Sequence, residues 1–173
     1  MQTHPFKKFV ATLAFAGAGI FSASALAAAP FTGLHVFGDS LSDGGNNYLA
    51  LGGLTGPAPT SATFIPSLPY ASGIPGALPT YSNGPAWASS FAVGLGLPAA
   101  AAPSLGGGGN GAFGGARTTV DGAPPLNFPP SLQTQLDGYL GSNTVSDTAL
   151  YVLAVGGNDV RDVGTAVAGD QRR

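Results

Sequence analysis

In the stretch FGDSLSDGGNNY (residues 37–48) a serine, Ser40, follows an apolar run and is surrounded by Gly38, Asp39, Asp43, Gly44 and Gly45. A serine hydroxyl is a weak nucleophile. It attacks an acyl carbon when a neighbouring base takes its proton and donors face the oxyanion that forms. Gly38 and Gly44 would let a substrate approach the backbone at this point. The same residues admit a plainer reading, because Asp and Ser side chains often hydrogen-bond their own turn. A second turn, VGGNDV (155–160), follows another apolar run, and the Asn158 amide in it is suited to donate to an oxyanion.

The elements around these turns decide whether they can meet. GLHVF (33–37) reads as a buried strand ending at Gly38. TALYVLAV (148–155) is a continuous apolar run bounded by Asp147 and Gly156, the pattern of a parallel strand buried on both faces. Residues 81–97 read as a helix, with Ser82 or Asn83 as cap and Pro85 in the first turn. Its buried stripe is expected at Trp87, Phe91 and Leu95, and Gly94 and Gly96 should end it. Ser131 is placed to cap another helix, with Leu132, Leu136, Tyr139 and Leu140 on one face and Gly141 as its stop. Residues 49–80, rich in Gly, Pro, Ser and Thr, read as a long loop. Residues 98–115 are low in complexity, and Gly106 to Gly109 suggest a flexible loop. They do not form a phosphate-binding loop, because no Gly-Lys-Ser/Thr follows. Strands alternating with helices predict an α/β domain with a parallel sheet, and ligands of such sheets bind at the carboxyl ends of the strands. Ser40 and Asn158 both fall at that edge.

The N-terminus reads differently. Lys7 and Lys8 precede the apolar FVATLAFAGAGIF, and Ala25-Leu26-Ala27 fits a small-residue cleavage site. Residues 1–27 are therefore expected to be a secretory signal peptide, with residues 28–173 as the exported domain. No later segment is long and apolar enough for a membrane helix. The formal charge of −2 becomes −4 once both lysines are removed, and no basic patch remains to recruit nucleic acid. Cysteine is absent, so an exported form must rely on its core.

Four segments together carry a family resemblance. FGDSLSDGGNN resembles the first, nucleophile-bearing block of the GDSL (SGNH) serine esterases and lipases. YSNGPAWASSFA resembles the stretch between the first and second blocks of its lipase-like branch. GAFGGART (111–118) is similar to the second block, and LYVLAVGGNDV to the third. The G-x-S-x-G elbow of other α/β hydrolases is not met, since Gly38-Asp39-Ser40-Leu41-Ser42 ends in serine. The resemblance implies Ser40 as nucleophile, and an oxyanion hole of the Ser40 and Gly115 backbone N–H groups and the Asn158 side chain. It implies a three-layer, flavodoxin-like α/β/α fold. The implied chemistry is hydrolysis of an ester or lipid substrate through an acyl-enzyme, without metal or organic cofactor.

One part of the family pattern is missing. Its last block, D-x-x-H, supplies the base and the carboxylate that orients it, and no such block occurs here. The two histidines are His4, in the expected signal peptide, and His35, on the strand leading to Ser40. Five residues of strand span about 16 Å, against a hydrogen-bond reach of about 3 Å, so His35 reads as a packed strand residue. Asp159 is expected to brace its own turn, and Arg161 and Asp162 to sit at an exposed helix start. The expectation is an N-terminal portion of the hydrolase domain, incomplete at its C-terminal side and prone to associate. The alternative is an exported, non-catalytic binding domain.

Overall fold

The structure is a computed structural model describing residues 31–71 and 74–170. The expected signal peptide lies outside those residues. Two six-residue strands, β1 (Gly33–Gly38) and β2 (Ala149–Ala154), pair in parallel, with Gly33 opposite Ala149 and Gly38 opposite Ala154. Four helices accompany them: α1 (Asn46–Ala50), α2 (Trp87–Gly94), α3 (Leu132–Ser142) and α4 (Gly157–Asp170). The domain is α/β, as the alternation of elements requires.

Side chains alternate across β1, which gives it two packing faces. Leu34 and Val36 are fully buried and pack with Ala88 and Ala92 of α2 and with Ala101, flanked by Leu150 and Val152 of β2. On the opposite face, Tyr139 of α3 lies against His35 and Phe37, with ring centroids at 4.7 and 5.4 Å. Helices therefore cover β1 on both sides.

The helix expected over 81–97 is confined to Trp87–Gly94, and neither Ser82 nor Asn83 caps it. Its buried face consists of Ala88 and Ala92, while Trp87 and Phe91 stay 39% and 38% exposed. Small residues let α2 settle close to the strand, and the large aromatics are left at the rim. In α3, Ser131 caps as expected by accepting from the Thr134 N–H, a contact worth about 1 kcal/mol. Gly141 does not stop the helix, which runs on to Ser142. Its deepest side chain is Gln135, and Leu140 is exposed. Strand β2 is only half-buried, with Leu153 52% exposed, in contrast to burial on both faces.

Beyond α1, the described residues up to Thr80 are irregular apart from an antiparallel bridge between Tyr70 and Thr80. Residues 98–115 are not a free loop. Two short 3₁₀ turns, Pro98–Ala101 and Ser104–Gly106, lead into a segment lying parallel to β1 on the side away from β2. The Val36 N–H donates to the Gly109 carbonyl, and the Gly111 N–H to the Val36 carbonyl. A side chain at Gly109 would collide with the Leu34 carbonyl. The glycine run is therefore what allows this close backbone pairing.

Candidate active site

Three backbone segments now run in parallel: 109–111, β1 and β2. Their carboxyl ends lie at one edge, and each turns there. The Phe113 N–H donates to the Gly38 carbonyl and the Asp39 N–H to the Ala154 carbonyl, which ties the three exits together. Ser40 follows β1, Gly115 follows the 109–111 segment and Asn158 follows β2. All three line a single cavity of about 510 Å³, together with Asn47, Tyr81, Gly114 and Arg161. Leu51, Ile65, Leu68 and Phe128 supply much of its apolar wall.

Ser40 is held by its neighbours. Asp39 accepts from the Leu41 N–H through its side chain and from the Ser42 and Asp43 N–H groups through its carbonyl, which bends the chain at the serine. Asp43 is the hub. Its Oδ1 accepts from the N–H groups of Gly45 and Asn46 at 2.8 and 2.7 Å, and its Oδ2 from those of Asn47 and Gly114 at 3.2 and 2.9 Å. One buried carboxylate thus joins the Ser40 turn to the segment carrying Gly115. Burial pushes the Asp43 carboxyl above its ordinary range, while the four N–H groups pull it back. Burial also raises Asp39, opposed by the Leu41 N–H and reinforced by the charge of Asp159.

Gln135 completes the frame. Its side-chain amide pairs with the Gly38 backbone in two directions, Gly38 N–H to Oε1 and Nε2 to Gly38 carbonyl, each at 2.9 Å. Gly38 and Gly44 do not serve substrate approach. A side chain at Gly38 would strike the Ala154 carbonyl, and one at Gly44 would crowd the Ala101 carbonyl and the Asn110 amide. These glycines let the protein's own segments close up.

Gly115 has φ +85°, a left-handed conformation that favours glycine. Asn158 is buried near the start of α4, and its Nδ2 donates to the Ala116 carbonyl at 2.8 Å, while its second amide hydrogen meets no acceptor among the described residues. Asp159 braces the neighbouring segment more than its own turn, accepting from the Thr118 N–H and hydroxyl, and those contacts hold its carboxyl below the ordinary range. Asp162, in the second turn of α4, pairs with Arg117. His35 stacks on Tyr151 and contacts Tyr139 in the aromatic layer beneath α3, and is not among the cavity-lining residues. Burial lowers its pKa.

The family model for the GDSL-like lipase/acylhydrolases matches residues 34–171, most of the chain. The chain belongs to that family. A search among curated proteins found no match. Family membership makes the chain a hydrolase-family protein of the esterase and lipase type, with an ester as its class of substrate. Within this GDSL-like frame, reasoning from sequence missed Asp43, Asn46, Asn47, Tyr81 and Gln135. Part of the signal was present in SDGGNN, where four side chains able to accept from backbone N–H groups crowd into six residues. Asn46 is buried and bridges the Asn110 and Ala112 carbonyls to the Leu105 N–H.

Proposed function

We propose that the chain carries the nucleophile of a secreted carboxylic ester hydrolase. Ser40 is the nucleophile, and the Ser40 and Gly115 N–H groups and the Asn158 amide receive the oxyanion. The observation that carries this reading is the convergence of Ser40, Gly115 and Asn158 on one cavity, each from its own parallel segment. An apolar wall beside a few polar groups suits an acyl chain next to a reacting ester. The proposed architecture is the three-layer, flavodoxin-like α/β/α fold. It is supported by the order of the 109–111 segment, β1 and β2, and by helices on both faces of β1. Export is proposed from the charged and apolar leader, and N-terminal mass analysis of the secreted form tests it by a start at residue 28.

Ser40 needs a base, and His35 is packed away from it. We therefore propose that the chain turns esters over slowly, and that added imidazole accelerates p-nitrophenyl ester hydrolysis. Ser40→Ala should remove the acceleration above imidazole's own background. Equal rates for the two proteins would end the nucleophile assignment. The placement of His35 favours a second reading, an exported domain that binds an ester-like ligand without cleaving it. On that reading imidazole rescues nothing.

A further inference from the structure

The Asn47 side chain is 3% exposed and lines the Ser40 cavity. Its Nδ2 donates to the Gly114 carbonyl at 2.9 Å and to the Tyr81 hydroxyl at 2.6 Å. Those two bonds use both amide hydrogens. The Gly114 carbonyl only accepts, so it fixes which way the amide is turned. In consequence Asn47 Oδ1 has no partner, the one such buried side-chain atom found among the described residues. Buried acceptors are rarely left this way.

The arrangement has an effect on Tyr81. Its oxygen already accepts from Asn47, so its own proton must be given elsewhere. No acceptor for that proton is found among the described residues, and Tyr81 faces the cavity. The ring also lies directly on Gly114, because a Cβ there would sit only 2.6 Å from the Tyr81 hydroxyl oxygen. The hydroxyl is thus one residue from Gly115. Burial, offset by the Asn47 bond and reinforced by the charge of Asp43, raises the Tyr81 pKa and keeps the proton in place.

We infer that the Tyr81 hydroxyl is a substrate-binding donor, giving its hydrogen bond to an oxygen of the acyl group bound beside Gly115. This rests on the ester-hydrolase reading and adds a residue to it. Asn47 is the positioning residue: it donates to one lone pair of the Tyr81 oxygen and leaves the proton for the ligand. An acyl oxygen fits this donor, whereas a purely hydrocarbon ligand gives it nothing to bond.

The test is equilibrium binding of hexanoate to the full chain, whose carboxylate oxygens stand where those of an acyl group would be. Binding is followed by NMR shifts of the Gly115 amide and of the ¹³Cζ resonance of Tyr81. Tyr81→Phe keeps the ring on Gly114 and removes the donor. It should weaken hexanoate about ten-fold or more, the loss expected for a hydrogen bond to a charged acceptor. Arg161 attracts the carboxylate equally in the two proteins, so the ratio isolates Tyr81. In the unaltered chain, the Tyr81 ¹³Cζ resonance should move as hexanoate is added, a readout that holds even if the variant folds poorly. Equal affinities, a stationary Tyr81 resonance, or no hexanoate binding at all would overturn the inference. Fluorophosphonate labelling of Ser40 separates the two ideas. An unlabelled Ser40 with the Tyr81 effect intact strikes only the hydrolase reading. A labelled Ser40 without the effect strikes only the donor.

Discussion

Asp43→Asn tests whether one carboxylate organises the site. The substitution preserves size and replaces one acceptor oxygen by an NH₂ group. However the amide is turned, two of the four backbone N–H groups on Asp43 then face a donor. A hydrogen bond to a charged acceptor contributes about 1.5–3 kcal/mol, so losing two costs about 3–6 kcal/mol. Removing the charge relieves some desolvation, the same burial that raises the Asp43 carboxyl, and we expect a net loss of about 3 kcal/mol. That is a large share of the 5–15 kcal/mol typical of a domain. The measurement is urea unfolding followed by the fluorescence of Trp87, the chain's single tryptophan. Its indole N–H donates to the Ser42 hydroxyl, one residue from Asp43. A loss below about 1 kcal/mol with an unchanged denaturant slope would refute the hub argument.

Gly109→Ala should destabilise strongly, because the new methyl would collide with the Leu34 carbonyl in the paired segment. Gly138→Ala in α3, where a methyl meets nothing within 4 Å, should instead stabilise by about 1 kcal/mol; thermal unfolding of the two variants compares them directly. Asp121 is held below its ordinary value of 3.8 by the Ser131 N–H and the Ser131 and Thr134 hydroxyls. Its folded pKa lies below its unfolded one, so its stabilisation is present above about pH 3.8 and is lost as the pH falls through the folded value. Asp121→Asn should therefore flatten the acid limb of a stability–pH curve, and an unchanged limb would remove Asp121 from the account.

The strands were legible because their signal is local. GLHVF and ALYVLA are apolar runs, and Ser40 lies in the turn after the first and Asn158 at the start of the helix after the second. The Ser131 cap was legible for the same reason. Errors arose where tertiary packing outweighs periodicity. On α2 the spacing of Trp87 and Phe91 suggests a buried stripe, but close approach to Leu34 and Val36 selects Ala88 and Ala92. The glycine run at 106–109 reads as slack, because nothing local reveals that Leu34 and Val36 lie alongside. Gln135 and Asn47 were invisible because their partners, Gly38 and Tyr81, are far away in sequence and one of those contacts is to backbone.

The most direct measurement of the central claim is mass-spectrometric mapping of the chain after exposure to a fluorophosphonate, with Ser40→Ala alongside. The account predicts a single adduct on Ser40, accelerated by imidazole and absent from the variant. An adduct spread over several serines, or one that persists in the variant, would contradict it.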